Sequence, residues 1–136
     1  MTRLSTDAVI VAFLLDDEGI TNLTATRIWG GVTYPPRNAN YKLSDGAAIC
    51  LKTVSGIDDY TDLMRHDRVQ FKCYASSRVE ADALAGVLHE ALQNQRTSNL
   101  KWARRTLTPN IIIEPETDWP FAFCQYSIMV HQEEIA

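Results

Sequence analysis

Residues 68 to 95 constrain the fold more than any other stretch. Between Arg68 and Ala75, Val69, Phe71, Cys73 and Ala75 alternate with Arg68, Gln70, Lys72 and Tyr74. That period of two is the pattern of a strand with one apolar and one wettable face. Ser77 stands three residues before Glu80, the capping-box spacing in which hydroxyl and carboxylate each satisfy a free amide at a helix start. Leu84, Val87, Leu88, Ala91 and Leu92 then recur at helical spacing and form one apolar stripe. A half-buried strand running into an amphipathic helix through almost no loop predicts the core of a small α+β domain.

At 136 residues the chain is read as one domain, 1–136, long enough to bury a core without staples. Its 46% hydrophobic and 22% charged residues are globular values and argue against wholesale disorder. A net charge of -4 argues against duplex DNA or an anionic membrane as the main partner, because both need clustered Lys and Arg. No apolar run reaches membrane-spanning length, and the amino terminus shows no basic region followed by an unbroken apolar stretch, so no secretion signal is expected. Three cysteines, Cys50, Cys73 and Cys124, fall inside strand-like runs. Without Cys-x-x-Cys or Cys/His spacing they read as small core hydrophobes in a reducing compartment.

Before this core, residues 4 to 15 carry Leu4, Ala8, Val9, Val11, Ala12 and Leu15, with Ser5, Thr6 and Asp7 as candidate caps. This is a first helix that stops before Gly19. Asn22 to Gly31 leads into the hook Arg27-Ile28-Trp29-Gly30-Gly31. Val32 to Asp45, with Pro35-Pro36 and then Asp45-Gly46, has no packing face and reads as a long loop, about 32–46. Ala47 to Val54 is a strand buried on both sides, ended by Ser55-Gly56. Ile57 to Asp67 is an acidic connection. After the central helix comes a polar turn over 93–99. A bent strand follows over 100–114, interrupted by Pro109, which an edge or a bulge tolerates. Pro120 to His131 alternates again and closes the chain. The expected architecture is α+β, an antiparallel sheet of about four strands with two helices packed on one face.

Chemistry is harder to find. Gly30-Gly31 is followed by no Lys-Ser/Thr, so it makes no phosphate loop, and no Gly-x-Ser-x-Gly elbow exists. His66, His89 and His131 are far apart; His89 reads as a helix flank residue, and His66 could pair with its neighbour Asp67. Asp58, Asp59, Asp62 and Asp67 lack the alternating ligand spacing of a calcium loop and read as a solvated acidic loop. Arg96, Lys101, Arg104 and Arg105 form a basic cluster. In a net-acidic protein such a cluster suits an acidic patch on a partner, such as the 58–67 loop of a neighbouring copy, and head-to-tail matching of unlike patches closes rings. Trp29, Trp102 and Trp119 suit either core or interface anchoring. No catalytic residue, metal ligand or cofactor site is nominated.

In the order of its parts the chain resembles the tail completion or tail terminator proteins of long-tailed bacteriophages, the minor tail protein U-like family. The resemblance rests on five features. They are the short first helix, the Arg27-Ile28-Trp29 hook before the loop with Tyr34-Pro35-Pro36, and the strand Ala48-Ile49-Cys50-Leu51. The run Arg68 to Ala75, with its alanine-rich helix, and the closing strand Phe123 to Val130 complete the set. It covers roughly residues 4 to 131, and no single motif in it is diagnostic. It implies a non-enzymatic virion protein at the head-proximal end of the tail, assembled in the host bacterial cytoplasm. It also implies a hexameric ring that stops polymerisation of the major tail tube protein and offers its other face to a head-completion or connector protein. DNA would cross the lumen only in transit, there would be no cofactor and no membrane, and a net-acidic wall would hold the cargo weakly. On this reading the loop at 32–46 is mobile in the free subunit and ordered on docking. The candidate subunit or partner contacts are Trp29, Tyr34, Arg37, Asp58, Asp59, Asp62, Arg96, Lys101, Arg104 and Arg105. A head-tail connector or neck protein is the alternative within virions. A small cytoplasmic enzyme or ligand-binding α+β domain would need a polar pocket with paired titratable groups, and a regulatory interaction module would suit a basic face that the sequence does not display.

Overall fold

Side-chain capping starts all three helices. The computed structural model describes residues 5–32, 45–58, 64–93, 100–115 and 117–131. Helix α1, Thr6–Leu15, begins where the Ser5 hydroxyl accepts from the Ala8 amide. Helix α2, Glu18–Thr24, begins where the Asp17 carboxylate accepts from the Ile20 amide at 3.0 Å. Helix α3, Arg78–Leu92, begins where Ser77 accepts from the Glu80 amide at 3.2 Å. Only half of the anticipated capping box forms. The Glu80 carboxylate takes the hydroxyl of Ser76 instead of the Ser77 amide.

The five strands are β1 (Ile28–Gly30), β2 (Ala48–Asp58), β3 (Met64–Tyr74), β4 (Leu100–Ile113) and β5 (Pro120–His131), ordered β1-β2-β3-β5-β4 in one sheet. Short β1 runs parallel to β2; every other pairing is antiparallel. The last strand is thus inserted between β3 and β4, and its register with β3 is unbroken from Met64↔His131 to Tyr74↔Phe121. The α+β class and the one-sided helix layer agree with the sequence pattern, with β1 and α2 as additional small elements. The apolar hook is β1: the Ile49 amide donates to the Arg27 carbonyl at 3.0 Å and the Gly31 amide to the Leu51 carbonyl at 2.8 Å. Arg27 closes this corner, donating from Nε to the Ala47 carbonyl at 2.9 Å. Gly46 lies beneath it at φ +126, where a Cβ would collide with the guanidinium.

One face of the sheet carries the core. Val69, Phe71 and Cys73 of β3 and Ala122, Cys124, Tyr126, Ile128 and Val130 of β5 meet Ile10 and Leu14 of α1, Ile20 of α2 and Leu84, Leu88 and Leu92 of α3. Phe71 and Tyr126 pack edge to face with centroids 5.4 Å apart, the arrangement ring quadrupoles favour. Each fully buried side chain of this size contributes about 1.5–3 kcal/mol relative to exposure. Leu15, at the end of α1, stays 40% exposed. Ala48 to Leu51 are buried on both faces, but Lys52 and Val54 are exposed, so the two-sided burial expected for Ala47 to Val54 holds only in the first part of β2.

Two boundaries differ from the sequence expectation. Ser55-Gly56 does not end β2; a register shift between Thr53 and Ser55 absorbs the irregularity and pairing continues to Asp58↔Arg65. Ile57, Asp58 and Met64 to Asp67, expected in the acidic connection, are therefore strand residues, and Asp67 is not solvated. It is 1% exposed in β3 and accepts a hydrogen bond from the Thr6 hydroxyl of α1. His66, its neighbour on the alternate face, packs against Trp102 instead of pairing with it. Pro109 does lie in the edge strand β4, which shifts register there and at two other places. The loop of 32–46 falls, for 33–44, outside the described residues, as does most of the turn over 93–99.

The Thr6–Asp67 contact ties α1 to the sheet across 61 positions. Thr6→Val keeps the shape but removes a donor from a buried carboxylate, which costs about 1–3 kcal/mol. Urea denaturation should show a lower midpoint with unchanged slope for this variant, while Thr6→Ser should stay close to the wild type.

Candidate interaction surface

Strand alternation puts a second set of side chains on the face without helices. Across the sheet, register aligns Lys52, Gln70, Gln125 and Leu107 in one row, and Arg68, Ser127 and Arg104 in the next. A third row runs through Trp29, Cys50, Lys72, Phe123 and Asn110. Lys52, Arg68 and Arg104 are exposed, and Lys72 is half-buried with its Nζ 4.9 Å from the centroid of Phe121. No described residue in these three rows is a carboxylate, so the rows themselves are cationic, with the Glu114 carboxylate standing at their aromatic end.

Aromatic groups frame the cations at both ends. At one end Trp29, Val32, Trp119 and Phe123 pack on buried Ala48, Cys50, Tyr74 and Phe121, a second small cluster separate from the core. The Tyr74 hydroxyl donates to Glu114 at 2.8 Å, and the same carboxylate accepts from Thr117. At the other end Trp102 stands opposite Met129 in register and 5.7 Å from the His66 ring.

The helix layer has the opposite sign. Asp7, Asp16, Asp17, Glu18, Glu80, Asp82 and Glu90 lie on or between its helices, against Arg27 and Arg78. Asp7 is engaged, accepting from both the amide and the hydroxyl of Thr53. Asp16, Glu18, Asp82 and Glu90 are exposed. The net charge of -4 therefore hides a subunit with one acidic and one basic side.

The candidate contacts are distributed as follows. Trp29 is half-buried in β1 within the aromatic cluster. Arg104 and Arg105 do not act together: Arg104 opposes Ser127 on the bare face, whereas Arg105 opposes Tyr126 on the helix side. Lys101 is half-buried at the register shift between Leu100 and Trp102. Asp58 ends β2 in register with Arg65. Tyr34, Arg37, Asp59, Asp62 and Arg96 lie outside the described residues. Lys52, Arg68 and Lys72 were not singled out by sequence, because they sit on two strands and converge only through register.

Titratable groups inside the fold are tuned against reactivity. The three cysteines are free and buried. Burial pushes the Cys50 thiol up to about 12, and the hydrogen bond with Cys124 together with burial raises Cys73. Burial raises the Tyr126 hydroxyl too. His89, whose Nδ1 lies 2.8 Å from that hydroxyl, is lowered by burial and by the nearby Arg105. Among the described residues no three His, Cys, Asp or Glu side chains are grouped to hold a metal ion. A groove of about 430 Å³ between α2, α3 and the end of β3 is lined by Leu23, Ala47, Ala75, Ser76, Glu80 and Leu84. Another of about 520 Å³ along α1 is lined by Asp7, Val11, Ala12, Leu15, Gly30 and Gly31. Each holds a single carboxylate and no base beside it.

No family model matches the chain, and no curated protein sequence matches it. Solved structures do. A chain in the structure described as "Virion of native gene transfer agent (GTA) particle" superposes with a TM-score of 0.65 at 16% identity, covering 93% of this chain and 95% of that one. The two share a fold over nearly their full lengths.

Two measurements test the buried groups. Native protein should not react with an aromatic disulfide reagent, and denatured protein should release three thiols. Because the folded His89 titrates below its ordinary 6.5, the unfolded chain binds its proton first, so the stability tied to neutral His89 is present above pH 6.5 and lost as pH falls below it. Thermal midpoints of wild type and His89→Gln between pH 7.5 and 5 should therefore diverge, with the flatter profile in the variant.

Proposed function

We propose that the protein is a structural component of a phage-like virion, and more specifically a tail terminator. It caps the tail tube as a homohexameric ring, stops tube growth and presents the tail-side surface for head joining. The observation that carries the proposal is the shared fold with a virion chain along nearly the whole of both molecules. The order of sequence features resembling tail terminators supports the finer role. A non-enzymatic part suits this chemistry, since the three thiols are buried, with Cys50 and Cys73 raised by burial, and neither of the two grooves pairs an acid with a base.

In this role the partners are further copies of the chain, the major tail tube protein and a head-completion or connector protein, with DNA in the lumen only in transit. Contacts to them are assigned to Trp29, Tyr34, Arg37, Asp58, Asp59, Asp62, Arg96, Lys101, Arg104 and Arg105. Split as they are between the two sides of β4, Arg104 and Arg105 would serve different neighbours.

Electron microscopy of particles from a host strain with this gene inactivated tests the role. Overlong tails lacking heads are the expected result, restored to normal length by the wild-type gene in trans. Tails of normal length that merely fail to join heads would assign the protein to the connector instead. Intact, infectious-looking particles would overturn a virion role altogether.

A further inference from the structure

The bare, cationic face of the sheet and the outer side of α3 have complementary features. The outer side of α3 presents Val79, Asp82, Ala83, Gly86 and Glu90, all exposed, with Val79 at 80%. Gly86 sits in the middle of this helix, where glycine costs about 0.5–1 kcal/mol relative to alanine. Nothing inside the subunit requires it, because a Cβ there would meet no atom within 4 Å. An exposed strip of small side chains, opened by an apolar valine and flanked by two carboxylates, is suited to close approach by another surface.

The geometry points to a second copy of this chain as the occupant of the bare sheet face, with the outer side of its α3, and Asp16 and Glu18 beside it, laid across Lys52, Arg68, Lys72 and Arg104. An antiparallel sheet can leave one face in water, but this bare face also carries half-buried aromatic groups at both ends, Trp29, Trp119 and Phe123 at one and Trp102 at the other. Five strands at about 4.8 Å spacing span roughly 20 Å, and two helices packed side by side at 8–10 Å span a similar width. Charge decides the orientation. The sheet rows offer cations with amide and hydroxyl neighbours and no carboxylate, whereas the helix strip offers Asp82 and Glu90 with no cation between them. At physiological ionic strength screening beyond about 8 Å makes such facing patches outweigh the like net charges of the two subunits. The aromatic groups at both ends, with arginine between them, match the composition of protein interfaces. A duplex would gain the cations but leave the small-residue strip of α3 without a purpose.

The two surfaces lie on opposite sides of one subunit, so the contact is heterologous. It does not stop at a dimer but continues until rotation closes a ring. The inference stands on the placement of charge and of Gly86, and holds for a self-associating protein of any role.

Light scattering and sedimentation of purified full-length protein test it. Wild type should form a species larger than a dimer that dissociates as salt is raised toward 1 M. Lys52→Glu with Arg68→Glu should be monomeric, and so should Asp82→Lys with Glu90→Lys. An equimolar mixture of these two double variants should associate again, because each supplies the sign the other now lacks. Gly86→Gln provides the check on folding. It should raise the thermal midpoint, as helix propensity requires, yet weaken association at least tenfold. A monomeric wild type, a twofold dimer, or a Gly86→Gln variant that associates normally would overturn the inference. Retention on duplex DNA that is lost with Lys52→Glu and Arg68→Glu, without self-association, would overturn it in favour of a polyanion surface. Because these measurements use isolated protein, their failure is separate from any failure of the virion role, which particle morphology reads.

Discussion

The structure depends on the unbroken antiparallel pairing of β3 with β5. Eleven consecutive residue pairs, Met64↔His131 to Tyr74↔Phe121, fix two pleated strands in one register. Because side chains alternate, that register decides at once which residues face the helices and which do not. Val69, Phe71 and Cys73 join Cys124, Tyr126 and Ile128 under α3. A slip by one residue would send every one of these to the other face and bring Arg68, Gln70 and Lys72 into the core. The Phe71–Tyr126 ring contact and the hydrogen bond between Tyr126 and His89 both sit on this pairing and draw α3 down onto it.

The same alternation produces a polar molecule from an ordinary composition. Cations occupy the bare side of the sheet and carboxylates collect in the helix layer. Net charge, taken alone, argues for a surface indifferent to anions, and the segregated faces show why it is a poor guide at short range. What a neighbour meets depends on the side it approaches from, since interactions between exposed charges fade within a Debye length.

Sequence made the strongest elements legible and the weakest ones obscure, for physical reasons. The β3–α3 unit and β5 were readable because long periodic patterns and a local cap act within a few residues. Pro109 was readable as an edge device for the same reason. Helix α2 was hidden by Gly19, which resembles a terminator, although Asp17 three residues before Ile20 is a capping signal. Strand β1 spans only Ile28–Gly30 and exists through parallel pairing with β2, a non-local partner that no periodicity announces. Asp67 looked like one of several loop aspartates; its burial depends on Thr6, far away in the chain. The basic surface was legible only in part. Arg104 was found in a sequence cluster with Arg105, yet β4 divides them, and the true neighbours of Arg104 come from other strands.

The insertion of β5 between β3 and β4 also has a consequence for synthesis. Strand β4 has β5 as its strand neighbour in the sheet, and β3 has β5 on one side. Until Pro120–His131 has left the ribosome, β3 and β4 both wait with an open edge, and α3 has only part of its floor. Chains grow at about 5–20 residues per second, so this interval is short, but it is the period in which unpaired strand edges are exposed to other chains. The three register shifts and the proline that blunt β4 guard the strand that keeps an open edge even after β5 has arrived.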